Sequence, residues 1–246
     1  AHGSYYTQAA MFVLATLWTM QMATPERSPE SAAAQREPFL RSIVAGLAFV
    51  ARDRDIRTLM ILAHGPLTLG MPYMSLMPIF AKDVLHGGAQ LQGFLLTIIG
   101  VGSVLGALVV ASMRRRYSYG HSVVTGALAF GVTLLGFASA RDIILSSVCA
   151  FGVGVCVVAY QTQNQTLLQL LAPREMRGRV MSIFLLNRGM VPLGTFVAGV
   201  LAEHLGGPAA LQIMSLAVLG VVVLVSLLTP RFLKLRVEFQ DRVPTR

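Results

Sequence analysis

Four amide side chains, Gln161, Asn164, Gln165 and Gln169, lie close together inside one long apolar run. On a helix they cover an arc of ~140° and so share one face. Amides both donate and accept hydrogen bonds, which suits a neutral or mixed polar solute. The competing role is hydrogen-bonded glue between helices. In a second apolar run Asn187 and Arg188 interrupt the pattern, and the arginine starts ~13 Å from the end of its helix. A guanidinium at that depth lines a watered path or pairs with a buried partner. In a third run His64 is the embedded base whose ordinary pKa lies near neutrality; packing is the plainer role for a lone histidine.

Acids are placed differently. All eleven Asp and Glu fall between the apolar runs or at their ends. Proton-coupled carriers commonly hold a carboxylate inside a span, and these runs supply none. Glu175, Arg177 and Arg179 cluster in one short link, where they could latch helix ends by ion pairing or simply anchor the chain. Cys149 and Cys156 are ~10 Å apart along a helix, beyond disulfide reach, and read as small core residues. Ser103 lacks the Gly-x-Ser-x-Gly context of a nucleophile. Metal-ligand clusters and phosphate-binding loops are missing from the pattern, so the expectation is no enzyme, no catalytic residue, no metal and no cofactor.

The elements that must position these groups are set by composition. The chain is 54% hydrophobic and 13% charged, with mean hydropathy +0.65; soluble domains carry about 25% charged residues. Too little polar surface remains for a water-soluble globule, so the solvent is a bilayer and the chain's partners include membrane lipids. A net charge of +9 raises nucleic acid as a partner, but that requires one continuous basic face. Here Lys and Arg sit in short clusters between apolar runs, which excludes it.

Seven runs reach the ~20 residues a spanning helix needs: 5–23, 58–81, 91–113, 121–140, 143–171, 180–204 and 208–230. The first is the weakest, diluted by Gln8, Thr16, Thr19 and Gln21. Links rich in Gly, Pro and charge separate them, all short except 24–57. That linker begins rich in Pro, Ser, Ala and Glu. It continues as an amphipathic helix over 39–50, with apolar residues at Phe39, Leu40, Ile43, Val44, Leu47 and Val50, able to lie at headgroup level or to cover a junction between bundles. Links after the first, third, fifth and seventh runs hold 6, 3, 3 and 5 Lys or Arg, against Lys82 and Arg141 on the other side. The positive-inside bias therefore puts linker 24–57 and the C-terminus in the cytoplasm. The chain opens on Ala1 with an apolar run and no signal peptide, which reads as a piece of a longer chain.

The segment Leu167 to Ser182, centred on Pro173–Arg–Glu–Met–Arg–Gly–Arg179, resembles the loop between the tenth and eleventh helices of the major facilitator superfamily. Pro192–Leu–Gly194 fits that eleventh helix. The wording is most similar to the bacterial efflux branch that includes the enterobactin exporter and related transmembrane secretion effectors. The chain departs from the superfamily at 106–116, where Gly106 and Arg114–Arg116 are present but the usual Asp is not, so no charge-relay gate is assigned there.

The resemblance implies an all-α membrane protein: the sixth helix plus the C-terminal six-helix bundle of a twelve-helix transporter. Residues 1–23 would belong to the N-terminal half, 24–57 would be the linker, 58–230 the bundle and 231–246 a cytoplasmic tail. The expected function is export of a small molecule by alternating access in the bacterial plasma membrane. Protons are the candidate coupling ion, and the missing N-terminal half is the necessary partner. An importer and a seven-helix receptor are the alternatives. Spans two to four and five to seven enter the membrane from opposite sides, as an inverted repeat requires, although their sequences show no match.

Overall fold

A computed structural model describes residues 2–21, 39–112 and 119–233. Every regular element among them is helical. The chain divides into two units, Ala1–Ser42 and Ile43–Arg246. The first contains α1 (His2–Met20) and the opening turn of α2 (Phe39–Arg52). In α1 the hydroxyls of Thr16 and Thr19 donate to their own helix, to Phe12 O and Ala15 O, both at 2.8 Å. The polar dilution seen in the first run is thereby turned inward on the backbone. Its apolar stretch, Gln8–Met20, is shorter than a full span.

The second unit continues α2 and adds α3 (Arg54–Gly70), α4 (Tyr73–Ile79), a π-helical turn (Phe80–Val84), α5 (Ala89–Ser112) and α6 (Tyr119–Ser139). Then come α7 (Ile143–Leu171), α8 (Arg174–Leu185), α9 (Asn187–Leu205), α10 (Gly207–Leu228) and the short α11 (Pro230–Leu233). Among the described residues five helical stretches are long and apolar enough to cross a membrane: Ala89–Ser112, Gly120–Ser139, Ile143–Leu171, Glu175–Leu205 and Gly207–Leu228.

Run 58–81 is not one helix. Pro72 has no amide to give Thr68 O, and α3 stops at Gly70 before α4 resumes at Tyr73. Pro66 and Pro78, inside α3 and α4, each remove one more rung of the ladder. The run expected at 180–204 starts earlier, as α8, and is jointed at Leu186, whose amide bonds to Ser182 O and Ile183 O. Of the expected features, Thr24–Pro38, Arg114–Arg116 and the tail beyond Leu233 lie outside the described residues.

The order of packing carries the fold. α7 packs on α5 and α6, α3 packs on α9 and α10, and α6 packs on α10. Exchanging 58–140 for 143–230 maps these pairs onto one another, which is the relation an inverted repeat demands. The caps agree. Asp53 caps α3, its Oδ1 accepting from the amides of Asp55 and Ile56 at 3.0 and 2.9 Å. Asp142 caps α7 through Leu145 N at 2.8 Å. Both helices open the corresponding spans of their halves, so the repeat invisible in the sequence reappears as contact order and capping.

The buried core is apolar, from Ile56 and Leu62 through Phe130 and Leu134 to Val218 and Val222. The outer surface is apolar too, with Val104 and Leu108 on α5, Phe196 and Val197 on α9, and Leu224 and Leu227 on α10 exposed. A helix hydrophobic all round belongs in lipid or deep in protein.

Candidate functional site

The amide face of α7 is split by packing. Asn164 is 1% exposed and points across to α3, where its Nδ2 donates to Leu59 O at 3.3 Å. Gln161 is half-buried, and Gln165 and Gln169 are exposed. The four therefore divide into one pin between helices and three amides on the uncovered side. Asn164 and Gln169 lie at the two edges of the ~140° arc, and the Asn164 edge is the one turned toward α3.

The pin is incompletely satisfied. Asn164 Oδ1 has no hydrogen-bond partner among the described residues, and neither has the hydroxyl of Tyr160, one turn earlier and fully buried. Tyr160 stacks on Phe130 of α6, with ring centroids 5.9 Å apart. Thr68 Oγ1, in the last turn of α3, is a third such atom. An unpaired polar group in a low-dielectric interior is costly, and α3 and α7 carry these three. Nothing in the sequence singled out Tyr160 or Thr68, because each is an ordinary residue of an apolar run.

His64 is half-buried and its Nδ1 contacts Met60 O, 2.8 Å away, on its own helix. That bond makes Nδ1–H the donor and ties the ring to α3. The backbone of Asn187 and Arg188 opens α9 directly after the Leu186 joint; their side chains lie outside the described residues.

Glu175 and Arg177 are exposed on α8, and Arg179 is half-buried, with Nη1 3.6 Å from Met176 Sδ. Glu175 occupies the first turn of α8, where a negative charge complements the helix dipole. Two further arginines have duties the charge count did not reveal. Arg54 Nη2 donates to Leu228 O at the end of α10, at 3.1 Å, and Arg57 Nη1 donates to Ala51 O near the end of α2, at 2.9 Å. Each satisfies a helix-terminal carbonyl that would otherwise lack a donor. At the same end His121 Nδ1 contacts Leu233 O.

One crossing in this region is decided by backbone. Gly194 of α9 sits against Thr68 O of α3, leaving no room for a Cβ. That carbonyl is the one Pro72 leaves without a helical donor. The Pro192–Leu–Gly194 segment, noted for its resemblance, thus docks at the break in α3.

Residues 3–244 match the family described as transmembrane secretion effectors. The chain belongs to this family of major facilitator transporters. It is 26% identical over 187 residues to the staphyloferrin A transporter of Staphylococcus aureus, covering 76% of this chain and 45% of the relative. It is 33% identical over 194 residues to the multidrug efflux pump Tap of Mycolicibacterium fortuitum, covering 76% and 46%. The multidrug resistance protein MdtH of Edwardsiella ictaluri is 24% identical over 208 residues, covering 84% and 48%. The chain thus spans about half the length of the curated relatives it matches. Family membership makes it a multi-pass membrane protein and sets aside both the enzyme and the seven-helix receptor.

Proposed function

We propose that this chain is the C-terminal part of a secondary exporter for a small molecule, working by alternating access. The observation that carries the reading is the uncovered amide row of α7. Gln161, Gln165 and Gln169 lie on a spanning helix, where polar groups face a partner or a watered path rather than lipid. In this reading the row, with Asn187 and Arg188, lines the path between this bundle and the other half of a twelve-helix carrier. The domain limits stay those expected from the sequence: 1–23 with the first half, 24–57 as linker, 58–230 as bundle and 231–246 as tail. His64 stays on the candidate list only as a neighbour of the path, since its Nδ1 is held by its own helix.

The end bearing Arg54, Arg57, Glu175, Arg177 and Arg179 is the cytoplasmic end, supported by the bias of basic residues among the links. Glu175, Arg177 and Arg179 then sit where a cytoplasmic gate would close. Outward direction is supported by a relative named as an efflux pump, and substrates of drug or siderophore type by the names of that relative and of the staphyloferrin A transporter. Proton coupling requires an embedded acid, which the other half would supply.

The test is export by the full-length protein from cells loaded with ethidium, and separately with staphyloferrin A, with and without a proton gradient. Gln165→Leu is expected to slow export of the transported compound by about tenfold, as loss of about 1.4 kcal/mol of selective binding would. Uptake instead of export would replace this reading with an importer. Unchanged transport in Gln161→Leu, Gln165→Leu and Arg188→Ala together would remove the α7 row from the path.

A further inference from the structure

From Ile43 onward, α2 rests on α8 at one narrow seat. A Cβ on Gly46 would stand 2.9 Å from Ile183 Cδ1 and 3.3 Å from Arg179 Cβ. One turn on, Val50 is 9% exposed and joins the core. The opposite face carries Val44, Leu47, Ala48 and Ala51, all exposed, so the seat is the only face of this segment that faces protein among the described residues.

At its other end α2 is fixed to α3 by bonds running in both directions. Asp53, between the helices, accepts from the Asp55 and Ile56 amides. Arg57 of α3 reaches back to donate to Ala51 O of α2. Asp53 N also bonds to Phe49 O at 3.0 Å, and Arg57 N to Asp53 O at 3.0 Å. An elbow tied on both sides moves as one piece with the first turns of α3. Beyond those turns α3 loses rungs at Pro66 and Pro72 and can bend there; its lower part, before Pro66, is tied by Asn164 to α7 and by Arg54 to α10 and moves with them. The helix that Gly46 of α2 meets is α8, which bears Glu175, Arg177 and Arg179.

We propose that α2 is a strut carrying displacement of the lower part of α3 onto α8, with Gly46 as the positioning residue of its seat. This deepens the transport reading above and rests on it. Geometry explains the need for glycine. Ile183 Cδ1 ends a flexible side chain and can turn aside, but Arg179 Cβ is fixed to the α8 backbone. An alanine at 46 is therefore partly accommodated, whereas a leucine must lift α2 from α8.

The test uses the full-length protein with Cys149→Ala and Cys156→Ala, in inside-out vesicles. Val180→Cys on α8 is the reporter, since Val180 is fully buried and directly follows Arg179, whose Cβ Gly46 meets. A membrane-impermeant maleimide measures its exposure, and ethidium measures transport. Gly46→Leu is expected to raise the labelling rate at least about fivefold, the population shift that overpacking by about 1 kcal/mol produces. It should lower the Vmax for ethidium and leave KM unchanged. Gly46→Ala should fall between, and keeps the test open where Gly46→Leu fails to insert. A disulfide between Gly46→Cys and Ile183→Cys, made without the reporter, should leave turnover unchanged, because a strut and its load travel together. Native labelling in both Gly46 variants, or raised labelling with native transport, would overturn the strut, as would loss of turnover on forming the disulfide. If the unmodified protein moves no ethidium, that failure belongs to the transport reading. Labelling of Val180→Cys in the Gly46 variants then decides the strut by itself.

Discussion

Two helix crossings occupy corresponding places in the two halves of the second unit and are built in opposite ways. Where α5 meets α7, Gly102 and Gly106 sit on the carbonyls of Phe151 and Val155, and Gly154 returns the contact on Ile99 O. Where α3 meets α9 there is one such contact, Gly194 on Thr68 O. The first pair joins two unbroken helices through three close approaches spread along their length. The second joins at the point where α3 has lost its helical hydrogen bond. Close backbone approach gains dispersion and weak Cα–H···O contacts along the whole interface. Repeating it makes a rigid plank; using it once, beside a proline break, leaves a joint. The same architectural position thus serves as a fixed wall in one copy and as a bending point in the other. Asn164, pinning α7 to Leu59 O below the break, ties wall to joint.

The sharpest way to break this contrast is to force α5 from α7. Gly102→Val with Gly106→Val puts side chains onto backbone carbonyls that cannot turn aside. Overpacking of this kind costs about 1–3 kcal/mol per site and sometimes more, so the pair is expected to remove most folded protein. Monodisperse yield in detergent and thermal denaturation would show it. Recovery at native levels would mean the plank is not what holds this half together.

Gly194→Val is expected to act next most strongly, by about 1–3 kcal/mol. Because α3 is already open at Thr68, it can yield there. We therefore expect a smaller drop in thermal midpoint than for the double variant, with transport lost out of proportion to stability. Equal losses of both would mean the α3–α9 crossing is no more compliant than the other.

Asn164→Leu tests the tie. Interhelical hydrogen bonds in membranes average about 0.6 kcal/mol, and the substitution also removes the unpartnered Oδ1. The net change in stability should stay within about 1 kcal/mol, measured by unfolding in mixed micelles. A large destabilisation would show that the pin contributes far more than one bond.

The smallest effect is expected at the foot of α3. Burial and then the neighbouring Asp53 charge push the Asp55 carboxyl above its usual range, with Arg54 partly offsetting them. The folded chain therefore holds that proton more tightly than the unfolded chain does. Its contribution is fully present at low pH and is lost as pH rises through the carboxylate range. Asp55→Asn should match the native protein below that range and be slightly more stable above it. Melting curves at several pH values would read this, and an Asp55→Asn protein less stable at neutral pH would reverse the assignment.

Much of this was legible beforehand where the signal is local. Apolar runs of spanning length, the prolines of 58–81 and the glycines of 91–113 are each visible as composition over one or two turns. Their consequences were less so. Pro72 alone does not say that Gly194 will fill the gap it leaves. The spacing of Gln161, Asn164, Gln165 and Gln169 places them on one face without saying where a neighbour's edge falls across it. Arg54 and Arg57 were counted as topological charge and proved to be caps, because the carbonyls they meet belong to the ends of other helices. The repeat left no trace in residue identity; it is seen in which helices touch, and in an aspartate cap at the head of α3 and α7.

What the sequence determined by itself was the solvent and the five long apolar segments found among the described residues, since both follow from how much polar surface each stretch can offer and where Gly, Pro and charge interrupt it. The tertiary structure alone decided which small residues become contacts, which amide turns inward, and which helix rests on α8. Those outcomes depend on distances between segments far apart in the chain, and no pattern along a single strand of sequence encodes a distance between two helices.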